Sequence, residues 1–179
     1  MIFVISGPPA AGKSTIATEL AKRFDKSIAI RVDDIRESVI GGLALPFPLW
    51  TEETARQYEI AETATAAAAR VYVEAGFVVI LDHCRNPENI EKWIDRDLSD
   101  VPLYKVAVIP SLETTLARNK ARTTKAFPPE NLEPIIRQVF ERYTQASLDG
   151  WIVCQNEGCL LEAVNVILAK SDLKNWGKP

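Results

Sequence analysis

The sequence predicts an α/β fold with a doubly wound parallel sheet, and three observations support this prediction. Short apolar runs alternate with amphipathic helical patterns along the whole chain. The apolar runs are continuous rather than alternating in polarity, which is typical of parallel strands covered on both faces. The 179 residues, 47% hydrophobic and 25% charged, are enough for one domain with a core, and no repeat or linker divides residues 1–179.

Five apolar runs are the predicted strands, and helical patterns fill the segments between and after them. The strands are Ile2–Ile5, Ser27–Val32, Phe77–Leu81, Leu103–Ile109 and Trp151–Val153. An alanine-rich helix is predicted from Glu52 to Ala75. Asn86 is a predicted N-cap with Pro87 at the first helical position, and Ser111 is the predicted N-cap of the next helix. Apolar stripes mark the other helices, at Ile16, Leu20 and Phe24, at Leu132, Ile136, Val139, Phe140 and Tyr143, and at Leu161, Val164 and Leu168.

Composition and charge exclude several classes of protein. The chain has no apolar stretch long enough for a transmembrane helix, and Met1 leads into "IFVIS" without the basic region of a signal peptide. We therefore expect a cytoplasmic protein without a membrane partner. The three cysteines are too few and too irregularly spaced for a disulfide framework or a zinc site. The net charge of −3 gives no general attraction to nucleic acid, although a local basic groove is compatible with it.

The segment "GPPAAGKS" fits the pattern G-x-x-x-x-G-K-[ST], which is typical of a phosphate-binding loop. Glycines let backbone N–H groups turn inward around phosphates, and the following helix directs its positive end at them. The pattern predicts that Lys13 reaches the β and γ phosphates of ATP and that Ser14 binds Mg²⁺. The predicted ATP contacts in this segment are Gly7, Pro9, Ala10, Ala11, Gly12, Lys13, Ser14 and Thr15.

Two acidic sites follow the second and third predicted strands. The carboxyl ends of parallel strands lie beside the ligand crevice, so Asp33 in "RVDDIR" is a candidate base for the proton of an attacking hydroxyl. Arg36, three residues further on, can steady phosphoryl charge or hold an anionic part of the acceptor. Asp82 closes "FVVILD", a Walker-B pattern that predicts a Mg²⁺ ligand. We expect helix capping for Asp34, and a pocket-wall or structural role for His83.

The segment around residues 118–130 predicts a lid over the phosphates. Arg118 and Arg122 are four residues apart, and "TTKAFPP" then interrupts the helix. Arginines on such a lid can bind the β and γ phosphates and supply a finger in cis. The alternative is a solvated basic helix end that complements the helix dipole.

The insert at about residues 34–75 lies on the predicted acceptor side. Its stretch "GGLALPFPLW" is apolar and stiffened by proline, so Phe47 and Trp50 are candidates to line a pocket for a small acceptor. Aromatic side chains also stack on bases, so a nucleoside or strand end is compatible with it. Core packing beneath a long loop is an equal alternative for both residues.

The motifs "GPPAAGKST", "RVDDIR", "LDHCRNPENIEKW" and "LARNKARTTKAFP" together resemble the kinase domain of polynucleotide 5′-hydroxyl kinases. They are also similar to the chloramphenicol-phosphotransferase-like and zeta-toxin-like kinases. This resemblance implies a P-loop kinase fold with strand order 2-3-1-4-5, three layers and a helical lid. It implies Asp33 as general base, Arg36 as its transition-state partner and Arg122 as the lid arginine on the transferred phosphate. Asp82 would lie beside the nucleotide.

We therefore expect an ATP-dependent phosphotransferase with Mg²⁺ that acts on a hydroxyl group of a small molecule. One alternative is a polynucleotide 5′-hydroxyl kinase. Another is a regulatory ATPase without an acceptor, which the pair Asp33 and Arg36 disfavours because a regulator needs no acceptor-activating base. The sequence leaves the oligomeric state and the choice between ATP and GTP open.

Overall fold

The fold of the computed structural model is described for residues 1–122, 128–171 and 173. Five strands form one parallel sheet in the order β2-β3-β1-β4-β5. Their bounds are β1 Ile2–Ser6, β2 Ser27–Arg31, β3 Val78–His83, β4 Leu103–Val108 and β5 Trp151–Cys154. Both the fold class and the strand order implied by the resemblance are confirmed.

Seven helices connect and flank these strands in the described part of the chain. They are α1 Lys13–Ala21, α2 Val32–Glu37, α3 Glu52–Glu74, α4 Pro87–Asp97, α5 Leu112–Lys120, α6 Pro129–Gln145 and α7 Leu160–Lys170. The predicted caps of α4 and α5 are confirmed, because the Asn86 side chain accepts from the backbone N–H of Asn89 and Ser111 accepts from that of Thr114. None of the helices described is long and apolar enough to cross a bilayer.

The sheet separates two apolar cores, which gives the fold three layers. On one face, Phe3 and Ile5 of β1 pack with α1 and α7. On the other face, Ile2 and Val4 pack with residues of α3, α4 and α6, including the fully buried Trp93. β1 is buried on both faces because its side chains alternate between these cores. β2 lies at the edge of the sheet, and its residues Ala29 and Arg31 are exposed. This strand is therefore not covered by helices on both faces.

The strand register places the candidate site residues at one edge of the sheet. Ser6 at the end of β1 pairs with His83, and Asp82 pairs with both Ile5 and Arg31. The phosphate loop leaves β1 and α2 leaves β2, so both begin beside the end of β3. This is the carboxyl edge, where open α/β sheets bind their ligands.

The predicted lid is described only in part. α5 ends at Lys120 and α6 begins at Pro129, while residues 123–127 lie outside the described residues. Arg118 and Arg122 both belong to the described chain. The insert at 34–75 consists of the end of α2, an irregular stretch over 38–51 and α3.

Candidate active site

The phosphate loop joins β1 to α1 and has the backbone that its glycines permit. Gly12 is the N-cap of α1 with φ 92°, and Ala10 also has a positive φ of 63°. A Cβ atom at Gly7 would collide with the carbonyl oxygen of Val108, and one at Gly12 would lie 2.6 Å from the side chain of Asn156. The loop therefore needs glycine at position 7 because the β4 backbone approaches it closely, and at position 12 because of the positive φ.

Lys13 and Ser14 are the first residues of α1, directly after the phosphate loop. The Lys13 ammonium donates to the carbonyl oxygen of Pro8 at 2.8 Å, and the residue is 7% exposed. The Ser14 hydroxyl donates to Oδ2 of Asp82 at 2.5 Å. A hydroxyl and a carboxylate in contact are oxygen donors of the kind that Mg²⁺ prefers, so these two residues fit a magnesium site.

Ser14 and Asp82 are not part of a larger cluster of metal-binding side chains among the described residues. The described residues contain no group of three or more His, Cys, Asp or Glu side chains that would enclose a metal ion. Mg²⁺ in phosphoryl-transfer sites usually keeps several waters and binds substrate phosphates, so two protein donors are sufficient.

Helix α2 distinguishes Asp33 from its neighbour Asp34. The Oδ1 atom of Asp33 is buried and makes no hydrogen bond to any of the described residues. Asp34 instead is exposed and pairs with Arg31 at 3.3 Å. Asp33 thus lines the cavity with a carboxylate oxygen that has no partner among the described residues, whereas Asp34 is held at the surface.

Arg36 follows on the same helix and is only 3% exposed. Its Nη1 donates to the carbonyl oxygen of Ala44 at 3.2 Å, and its guanidinium lies 4.8 Å from the ring centroid of Tyr58. Burial raises the pKa of the Tyr58 phenol, and the charge of Asp33 raises it further. Tyr58 is therefore neutral, and its ring packs against the guanidinium of Arg36.

Aromatic side chains from the insert also line the cavity. Trp50 stacks on Tyr58 at a centroid distance of 5.1 Å and an interplanar angle of 15°. Arg85, which follows β3, lies 5.3 Å from the Trp50 ring and 5.0 Å from the Tyr58 ring. The alternative of pure core packing is wrong for Trp50, which is 48% exposed. Phe47 is partly exposed beside it.

These parts surround one cavity of about 640 Å³. It brings together the predicted site residues Pro9, Ala10, Lys13, Ser14, Asp33, Arg36, Phe47, Trp50, Asp82 and Arg122. The far wall comes from α6, through Leu132, Ile135 and Val139. A volume of this size suits a small ligand beside the phosphate loop.

Several predicted nucleotide contacts do not line this cavity. Gly7, Ala11, Gly12 and Thr15 form the loop and the first turn of α1 without facing it. Arg118 lies apart, with its Nη1 donating to the carbonyl oxygen of Ala11 at 3.2 Å. Asn156 donates to the same oxygen at 3.1 Å. Both side chains therefore support the phosphate loop from outside the cavity.

Asn156 and Arg85 are the site residues with the weakest signal in the sequence. Asn156 lies in "CQNEGCL" after the last strand, a turn that the sequence marks only as a candidate contact to adenine. Arg85 follows the Walker-B strand directly, and only its position at the carboxyl edge of the sheet marks it.

His83 belongs to a buried network beneath the cavity rather than to its wall. Its Nε2 and Oε1 of Glu62 are 2.9 Å apart, and Arg96 donates to the other oxygen of Glu62 at 3.2 Å. Burial raises the pKa of Glu62, but the hydrogen bond from His83 and the charges of His83 and Arg85 outweigh this and lower it. The structural role expected as one alternative for His83 agrees with this position.

Cys84 is next to His83 and does line the cavity. Burial raises the pKa of its thiol, so the nucleophilic thiolate is disfavoured. The cavity accordingly combines carboxylates with several cations and holds no activated thiol among the described residues.

Comparison with known proteins relates the chain to one family and to several solved folds. The AAA domain family matches residues 2–146. A sugar kinase from a Janibacter species has a TM-score of 0.69 at 15% identity, over 96% of this chain and 94% of that one. No curated protein sequence matches the chain.

Two further solved structures cover the chain almost completely. The tunicamycin resistance protein of Deinococcus radiodurans has a TM-score of 0.69 at 16% identity, over 99% of this chain and 98% of that one. Shikimate kinase from Bacteroides thetaiotaomicron has a TM-score of 0.64 at 17% identity, over 97% and 99%. At these identities the likeness shows the fold, which is that of P-loop kinases.

Proposed function

The chain belongs to the AAA domain family, and from this membership and the site geometry we propose that it transfers the γ-phosphate of ATP to a hydroxyl group of a small molecule. One observation carries the proposal. A single cavity is lined by the phosphate-loop residues Lys13 and Ser14 and by Asp33, whose buried carboxylate oxygen has no partner among the described residues. A nucleotide-binding protein that only switches between states needs no such base.

The reaction requires an acceptor oxygen in line with the γ-phosphorus. The acceptor hydroxyl forms the new P–O bond, the bond from the γ-phosphorus to the β,γ-bridging oxygen breaks, and ADP leaves. Asp33 takes the hydroxyl proton, which is the role of a general base. Its position in the cavity beside the phosphate loop supports this assignment.

Cationic side chains hold the charge that develops on the transferred group. Lys13 binds the β and γ phosphates, and Arg122, which lines the cavity, acts as an arginine finger in cis. Arg36 stabilises the phosphoryl charge from the acceptor side. Ser14 and Asp82 would hold Mg²⁺, which neutralises charge on the β and γ phosphates when bound.

A small acceptor is favoured over a strand end by the size of the site. The cavity of about 640 Å³ is lined by α6 and the aromatic insert as well as by the phosphate loop, and its volume suits a small ligand. The names of two structural neighbours, a sugar kinase and a shikimate kinase, support a small acceptor as well. Similarity to the polynucleotide kinases is compatible with the same chemistry on a different substrate.

A screen with γ-labelled ATP tests the proposal. We expect ATP consumption that depends on one added hydroxyl compound and a labelled product of low mass. Oligonucleotides with a free 5′-hydroxyl belong in the same screen, since a 5′-phosphorylated oligonucleotide would transfer the assignment to the polynucleotide kinases. Slow hydrolysis that no acceptor accelerates would contradict the proposal and favour a regulatory ATPase.

A further inference from the structure

Arg85 occupies the acceptor side of the cavity, and the mechanism above leaves it without a role. Its guanidinium lies beside the rings of Trp50 and Tyr58, at 5.3 and 5.0 Å. Its Nε lies 3.8 Å from Oε1 of Glu62, an ion pair that lacks a hydrogen bond. Packing and charge therefore hold the side chain at the cavity that it lines.

Two arginines in this wall carry buried donors that no described residue accepts. They are Nε and Nη1 of Arg85, and Nε of Arg36, whose side chain is 3% exposed. Buried guanidinium donors are costly when unpaired, because desolvation is not offset by a hydrogen bond. Both guanidinium groups lie within 5.0 Å of the same Tyr58 ring, so they share one region of the cavity.

The charge around the cavity is opposite in sign to that of the whole chain. Among the described residues that line it, six are cationic and three are anionic, whereas the chain has a net charge of −3. The cations are Lys13, Arg31, Arg36, Arg85, Arg122 and Arg142, and the carboxylates are Asp33, Glu37 and Asp82. Lys13 and Arg122 serve the nucleotide and Arg31 pairs with Asp34 and Asp82, which leaves Arg36, Arg85 and Arg142 in excess over Asp33 and Glu37.

Glu62 does not neutralise this excess. Its single carboxylate is shared among His83, Arg85 and Arg96. Arg96 also pairs with Asp97 at 2.7 Å and does not line the cavity. Glu62 thus orients Arg85 without taking up its remaining donors.

We infer that the acceptor carries an oxyanion, a carboxylate or a phosphomonoester, which binds to Arg85, next to the Arg36 that stabilises the phosphoryl group, while its hydroxyl faces Asp33. This inference rests on the proposed function and names the class of its substrate. Guanidinium groups suit such anions because their planar array of donors matches two oxygens at once. Trp50, stacked beside Arg85, would cover the apolar part of the same molecule.

Fractionation of a metabolite extract tests the inference before any acceptor is known. The probe is a small-molecule filtrate, freed of nucleotides and nucleic acid and divided on an anion-exchange resin into a retained and an unretained fraction. We expect labelled phosphate to be transferred only with the retained fraction. The filtrate is also treated with phosphatase, which is removed before the assay. This treatment abolishes the acceptor activity of the retained fraction if the acceptor is a phosphomonoester and preserves that activity if the acceptor is a carboxylate.

The two possible failures are distinguishable. Transfer to a compound in the unretained fraction would overturn the anionic acceptor and leave the kinase proposal intact. ATP hydrolysis that neither fraction accelerates would overturn the proposed function and this inference with it.

Variants of Arg85 give the second measurement. Loss of a charge-assisted hydrogen bond predicts a rise of about 10- to 100-fold in the KM for the acceptor in Arg85→Met, with the KM for ATP unchanged. Arg85→Lys keeps the charge but loses the planar donor array, so we expect an intermediate KM. Arg96→Met is the matched control, since it removes the other guanidinium from Glu62 without touching the cavity. An Arg96→Met effect equal to that of Arg85→Met would reduce Arg85 to a structural role.

Discussion

Replacing Asp33 with asparagine removes the proposed base while keeping the size of the side chain. Loss of a general base typically costs about 10²–10⁴ in rate, which corresponds to about 3–5 kcal/mol in the barrier. We expect this loss in acceptor-dependent turnover. ATP affinity should stay nearly intact, because the nucleotide is bound by the phosphate loop and the arginines rather than by α2.

The structure predicts that the fold survives this substitution. Oδ1 of Asp33 makes no hydrogen bond to the described residues, so asparagine breaks none there. Asp33 lies in the first turn of α2, where a negative charge is worth about 0.3–1 kcal/mol against the helix dipole. The cost in stability is therefore much smaller than the cost in the barrier, and the two effects are separable.

Asp34→Asn is the matched control for this experiment. Asp34 is the adjacent residue, is exposed, does not line the cavity, and pairs only with Arg31, a half-exposed residue at the cavity's edge, among the ion pairs described. Exposed ion pairs contribute about 0–1 kcal/mol, so we expect near-normal turnover and stability. The assay measures ADP release with and without the acceptor found in the screen, together with ATP affinity. Normal turnover in Asp33→Asn, or a deep loss confined to Asp34→Asn, would refute the assignment of the base.

Three further predictions concern the nucleotide side and the buried network. Lys13→Ala should abolish turnover and weaken ATP binding without unfolding the protein, and near-normal activity would contradict the phosphate-loop assignment. Arg122→Ala should slow transfer by about 10³-fold or more, as measured by single-turnover kinetics. Arg118→Ala should mainly weaken ATP affinity, and the reverse order of these two effects would show that their roles are exchanged. Glu62 has a pKa lowered on folding, so its contribution to stability is complete above its unfolded pKa of about 4.5 and is lost as the pH falls below that value. Urea unfolding from neutral to acid pH should therefore show a smaller loss of stability in Glu62→Gln than in the wild type, and equal losses would argue against the pairing with His83.

Sequence reasoning succeeded where chemistry depends on local spacing and on strand ends. The phosphate loop from Gly7 to Ser14 is recognisable from its residue spacing alone, and β1 and α1 flank it as predicted. The approach of Asp82 to Ser14 could be expected because parallel strands bring their carboxyl ends to one edge. Apolar periodicity was sufficient for most helices, but Leu161 of the predicted last stripe is 54% exposed and α5 buries the polar residues Thr115 and Asn119.

The features that sequence reasoning missed depend on contacts between distant segments. Arg85 acquires its position only when Tyr58 and Glu62 of α3 pack beside it, and no local pattern encodes that packing. Asn156 reaches the carbonyl oxygen of Ala11 across 145 positions of the chain. Single side chains that meet through tertiary packing leave no periodic signal, so the acceptor wall was less predictable than the nucleotide side.

The shared carboxylate of Glu62 has a consequence for how acceptor preference can change over generations of variants. Glu62 is 2% exposed, so a substitution at Arg85 alters the balance of charge around a carboxylate that water cannot reach. Substitutions at Arg85, Arg96 and Glu62 therefore have non-additive effects on stability. Selection for a neutral acceptor would begin at Arg85, and its successful lineages should carry a compensating change at Glu62 in α3, more than twenty positions earlier in the chain.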